Sequence, residues 1–145
     1  MEIVVNEWLL EYLRPDAPNA HREAAVQFIN ALVRKCDKMV IKRKSPFADK
    51  LYAYVHRSWK QFSSLHKLVF IDSDRTIIAD ESDLQDLPKD IAAKTPEDDK
   101  YLVELWYSKQ DRIVLTTDGK LKDKLKDVPG LKIYLLGEFL PAYIA

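Results

Sequence analysis

Short β-branched runs alternate with longer amphipathic segments along this chain, and that alternation constrains its fold more than any other feature. The runs lie at residues 3–5, 39–41, 68–71, 113–115 and 133–136, with a further short extended piece at 76–79. They are too short for helices, and the runs at 3–5 and 113–115 are apolar throughout, as strands buried on both faces are. Between them apolar residues recur every three or four positions. The clearest case is 19–35, where Ala24, Ala25, Phe28, Ile29, Leu32 and Val33 form one stripe with charges opposite.

Shorter helices are predicted at 7–14, with Trp8, Leu9, Tyr12 and Leu13 on one side, and from Pro46 onward, with Ser45 as N-cap and Phe47, Leu51, Tyr54 and Val55 facing inward. Another begins at Pro96-Glu97-Asp98-Asp99 and runs to about residue 108, its acids at the positive end of the helix dipole. Helices at 119–126, stopped by Pro129-Gly130, and at 138–144 complete the pattern. Residues 82–96 are acidic and proline-containing, which predicts a mostly solvated connector with one helical turn. The order predicts one α/β domain over residues 1–145, three layers deep (α/β/α), with a mostly parallel central sheet. Ligands in such sheets bind beyond the carboxyl ends of the strands.

Composition narrows the chemistry. Hydrophobic residues make up 47% and charged residues 32%, a balance that supports a packed core. The single cysteine, Cys36, excludes an intrachain disulfide and a cysteine-based zinc cluster. The three histidines are scattered, and Gly119, Gly130 and Gly137 form no phosphate-binding loop. No apolar run approaches the roughly 20 residues needed to span a bilayer. The first residues carry acids and no basic stretch, which argues against a signal peptide and makes the cytoplasm the expected location. Formal net charge is zero, so any attraction for a polyanion must be local.

The stretch EDDKYLVELWYSKQDRIVLTTD, residues 97–118, carries the most chemistry. Asp99 stands at the start of a helix that precedes a strand, and Asp118 directly follows that strand. Packing the helix on the strand brings both acids to one edge of the sheet. Thr116 adds a hydroxyl two residues before Asp118. Carboxylates with nearby oxygens suit a hard Mg²⁺ or Mn²⁺ ion. The competing reading is that both aspartates are helix caps.

This stretch, with TTDGKLKDKL and the EFL near the end, resembles the second half of a PIN domain, a family of small α/β nucleases that includes toxin ribonucleases. IVVNEWLL begins in the register of that family's first strand. The resemblance implies a cluster of three or four acids holding Mg²⁺ or Mn²⁺ for cleavage of single-stranded RNA, and a cognate antitoxin-like inhibitor as a possible partner. Asp99 and Asp118 fall on the third and fourth acidic positions, with Thr116 as the supporting hydroxyl. Asn6 occupies the first, where it offers a carbonyl oxygen without charge. Glu7 beside it is either a substitute ligand or a carboxylate favouring its own helix dipole. Asp49 is the only acid near the second position, with a solvated surface role as the alternative. The loss of charge at Asn6 keeps a second function open: a non-catalytic RNA- or protein-binding module with a degenerate metal site.

Lysines and arginines crowd residues 35–67, and Lys42, Arg43, Lys44, Arg57 and Lys60 are the candidate RNA contacts. Tyr52, Tyr54, Trp59 and Phe62 are interleaved with them, and exposed rings can stack on unpaired bases. The plainer reading makes these a solvated lysine face and core aromatics. A homodimer through this aromatic segment is a further possibility. The acidic counterpart, residues 72–99, is positioned to pair with the basic segment within the fold or across a dimer.

Overall fold

Five strands form one all-parallel sheet in the order β3-β2-β1-β4-β5. The computed structural model describes residues 1–57 and 59–145, with side chains at all of these except 60 and 61. The strands are β1 (Glu2–Val5), β2 (Lys38–Lys42), β3 (Thr76–Ala79), β4 (Ile113–Thr116) and β5 (Ile133–Leu135). Among the described residues eight α-helices connect and flank them: α1 (Trp8–Tyr12), α2 (Asn19–Arg34), α3 (Pro46–Val55), α4 (Lys60–Leu65), α5 (Lys89–Lys94), α6 (Lys100–Ser108), α7 (Gly119–Lys124) and α8 (Leu136–Ile144). Parallel neighbours need crossover connections, and these are right-handed almost without exception. Strands are added outward from β1 in one direction to β3, then in the other direction from β4 to β5, so the helices divide between the two faces. The fold is the expected three-layer α/β/α sandwich. None of the helices in the described residues is long and apolar enough to cross a membrane.

The stripe on α2 is buried as its periodicity requires, with Ala25, Phe28, Ile29 and Leu32 in the core. Phe28 meets Trp8 of α1 and Tyr143 of α8 through ring contacts, so these three helices share one face. On the other face α6 contacts β1, β2 and β4, and it buries Tyr101, Leu102, Val103, Leu105 and Trp106. Ser45 caps α3, its hydroxyl accepting from the Ala48 N–H at 3.1 Å. Its own proton goes to the Lys42 carbonyl.

Two connections differ from expectation. Residues 68–71 are not a strand: His66–Phe70 forms a π-helical turn continuing α4. Leu68 and Ile71 are exposed while the adjacent Val69 and Phe70 are buried, which is not the alternation or the full burial a strand needs. The place beside β2 goes to 76–79 instead. The acidic connector also carries more order than one turn, with a 3₁₀ turn at Glu81–Asp83 before α5.

The order of the sheet reverses between β1 and β4, which leaves a crevice at their carboxyl ends. Register lines up the residues there. Val4 pairs with Val40 and with Val114. Two positions on, Lys42, Asn6 and Thr116 stand level on three adjacent strands. The Asn6 amide donates to Thr116 Oγ1 at 3.0 Å. Trp8 is buried and ties α1 to β4, its indole N–H donating to the Leu115 carbonyl at 2.9 Å. Trp8→Phe keeps the ring contacts but leaves that buried carbonyl without its donor. Urea denaturation of the variant is expected to show a loss of about 1–3 kcal/mol. An unchanged midpoint would mean that this bond does not tie α1 to β4.

Candidate metal centre

The polar groups around the crevice come from three places in the sequence. Asn6 and Glu7 follow β1, Thr116 ends β4 with Asp118 just after it, and Asp99 and Tyr101 lie at the start of α6. Thr116 is fully buried and acts as a hub. Its Oγ1 accepts from the Asn6 amide and from the Asp118 backbone N–H at 3.1 Å. Asn6 Oδ1 in turn accepts from the Trp8 N–H at 3.2 Å, an Asx-type turn that starts α1. Both ends of this amide are therefore engaged by the fold.

The two aspartates, which share a capping alternative, part company here. Asp118 is an N-cap: its Oδ1 accepts from the N–H groups of Lys120 at 3.0 Å and Leu121 at 3.2 Å. Asp99 makes no side-chain cap, although it stands at the N-cap position of α6. Among the described residues its carboxylate has neither a hydrogen bond nor an ion pair. Burial pushes that carboxyl above the usual aspartate range, and the charges of Glu7, Asp118 and Asp98 push it further. The Lys124 ammonium opposes them. Glu7 and Asp118 thus both lie within electrostatic reach of Asp99.

Tyr101 is the participant that sequence reasoning missed. It is buried, and its hydroxyl donates to Glu7 Oε1 at 2.9 Å. Burial, the Glu7 charge and that hydrogen bond hold its phenol protonated far above the ordinary range, with Asp99 adding to the effect. The bond fixes one Glu7 oxygen. Nothing in the spacing Asp99-x-Tyr101 signals it, because the contact is 94 residues away in sequence.

The remaining candidates fall elsewhere. Asp49 is exposed in the first turn of α3, and its carboxylate has no hydrogen bond or ion pair among the described residues. It is not among the leading charges that act on Asp99. Lys42 is not an RNA-facing side chain: it is 8% exposed, and its ammonium lies 2.8 Å from Glu81 and 3.4 Å from Glu104. Arg43 pairs with Asp80 at 2.6 Å. The acidic connector therefore meets the basic segment within the fold. Lys44 is exposed, with a left-handed backbone at φ 56°. Arg57 lies over the rings of Tyr54 and Trp59. The Lys60 side chain lies outside those described. Of the interleaved aromatics, Tyr54 and Phe62 are core, Trp59 is half-buried, and Tyr52 is exposed.

The donor set is all oxygen, which fits a hard divalent ion in kind. Among the described residues, however, no group of three or more histidine, cysteine, aspartate or glutamate side chains is arranged to hold one. Asp118 is turned to its helix and Glu7 to Tyr101, while Asp99 is uncommitted. No protein-family model, no curated protein and no solved structure matches the chain, so the PIN resemblance rests on its own residues.

The repulsion on Asp99 has a thermodynamic signature. A carboxyl whose folded pKa lies above its unfolded value supports the fold while protonated, and that support is lost as pH rises through the folded value. In EDTA, Asp99→Asn should melt higher than the parent at neutral pH, with the gap closing as pH falls toward about 4, the ordinary aspartate value. Thermal melts of both proteins across that range check this. A gap independent of pH, or of opposite sign, would refute the like-charge account.

Proposed function

We propose that this chain is a divalent-metal-dependent ribonuclease of the PIN type, cleaving single-stranded RNA in the cytoplasm. The observation that carries the reading is the Asp99 carboxylate. It is partly buried, raised by that burial and by the charges of Glu7, Asp118 and Asp98, and without a hydrogen bond or ion pair among the described residues. Stability alone does not account for such a group, because placing like charges together without a cation is unfavourable. A site that receives a cation accounts for it.

Glu7, Asp99 and Asp118 are the residues that would hold Mg²⁺ or Mn²⁺, with Asn6 as a weaker, uncharged neighbour. When bound, the ion supplies positive charge to a phosphodiester whose oxygens gain negative charge in the transition state. The chain's own contribution is positioning. Thr116 fixes the Asn6 amide and the backbone of Asp118. Tyr101 fixes one oxygen of Glu7. Trp8 ties the start of α1 to β4 through the Leu115 carbonyl. A homodimer or a cognate inhibitor would belong to the same reading.

A second reading, a binding module with a degenerate metal site, is favoured by one observation. Both ends of the Asn6 amide serve the fold, so the first acidic position of the PIN pattern contributes neither charge nor a free group. The two readings differ in whether the parent protein cuts.

Asp118→Asn separates charge from architecture, because an asparagine Oδ1 still accepts the two N–H groups that begin α7. The parent is expected to cleave a labelled single-stranded RNA in Mn²⁺ and to be inactive in EDTA. The variant should lose cleavage while keeping the parent's circular dichroism spectrum and melting temperature. Full activity in the variant would remove Asp118 from the mechanism. Binding of the RNA without cleavage by the parent would favour the second reading.

A further inference from the structure

An acidic crevice repels the polyanion it is meant to process, so the strand needs cations at the rim. The basic segment that the sequence offers for this purpose is largely committed. Lys42 is held by Glu81 and Glu104, Arg43 by Asp80, and Lys50 by Glu11 at 2.7 Å. The other candidate is α7, which begins at Asp118 itself.

The segment that carries α7 has four lysines at alternate positions. Lys122 pairs with Glu138 at 2.7 Å and Lys126 with Asp123 at 3.5 Å. Lys120 and Lys124 are exposed and have no ion pair among the described residues. Four residues apart, they share one face of the helix, about 6 Å apart along its axis. Asp118 caps this helix and accepts from the Lys120 backbone N–H at 3.0 Å, and the Lys124 charge lowers the Asp99 carboxyl against its neighbouring acids. Two ammonium groups without an ion pair among the described residues thus stand on the helix that begins at Asp118.

We propose that Lys120 and Lys124 are the phosphate-binding rim of the crevice, holding the backbone of a single-stranded polynucleotide along α7 beside the carboxylates. This rests on the nuclease reading and assigns the direction from which the strand is held. The basic segment around Lys44 and Arg57 is then a solvated surface and not the track for the strand.

The test is fluorescence anisotropy with a labelled 12-nucleotide single-stranded RNA in EDTA, repeated over a range of KCl concentrations. The proteins are the parent, Lys120→Gln with Lys124→Gln, and Lys44→Gln with Arg57→Gln. Each phosphate contact contributes about 0.7 to the slope of log affinity against log salt for a single strand. The α7 variant should bind about tenfold more weakly at low salt, with a slope shallower by about 1.4. The second variant should match the parent. An unchanged slope in the α7 variant, a loss confined to the Lys44/Arg57 variant, or no binding by the parent would each overturn the proposal. A parallel cleavage assay in Mn²⁺ keeps the two ideas apart. Binding through α7 without cleavage leaves the rim standing and removes the nuclease, whereas cleavage with unchanged binding in the α7 variant does the reverse.

Discussion

One hydrogen bond organises the candidate site: the Asn6 amide donating to Thr116 Oγ1 across 110 residues of sequence. It joins the ends of β1 and β4 where the order of the sheet reverses. Four of the groups around the site continue from it, while Asp99 and Tyr101 come from the start of α6. Glu7 and Trp8 continue from Asn6, and Asp118 continues from Thr116 with its own backbone N–H held by the same hydroxyl. A buried threonine and an asparagine do what an aspartate in place of Asn6 would do less well. Asparagine donates as well as accepts, so the strand ends are tied together without adding a fourth negative charge.

The electrostatics of the sheet edge are divided. On the β2 side the Lys42 ammonium is clasped by Glu81 and Glu104, and Arg43 by Asp80. Burial lowers the tendency of Lys42 to carry charge, but its two acids more than compensate and hold it protonated. On the β4 side burial and the charges of Glu7, Asp118 and Asp98 raise the Asp99 carboxyl, with Lys124 opposing them.

Much of this was legible in the sequence. Strands buried on both faces read as apolar runs, so β1, β2 and β4 were found within a residue or two. The stripe on α2 and the Ser45-Pro46 start of α3 were equally plain, because propensity, capping and periodicity agree there. The run at 68–71 misled because a short apolar stretch has no periodicity to distinguish a strand from a turn of helix. At the site, the convergence of Asp99 and Asp118 followed from a helix packing on the strand after it. Tyr101, the clasp on Lys42 and the engagement of Asn6 did not follow. Each depends on side chains meeting across the fold, and a lysine in a basic run carries no mark of being buried. The rival roles of the two aspartates could be separated only by seeing which one gives its oxygens to a helix.

The central claim is that Asp99 is a cation ligand and not a solvated acid. Calorimetric titration of the parent and of Asp99→Asn with Mn²⁺ at neutral pH tests it most directly. The account predicts saturable binding to the parent at millimolar concentrations or below, and its loss in the variant with the fold retained. The absence of binding to the parent at millimolar Mn²⁺, or equal binding by both proteins, would contradict it.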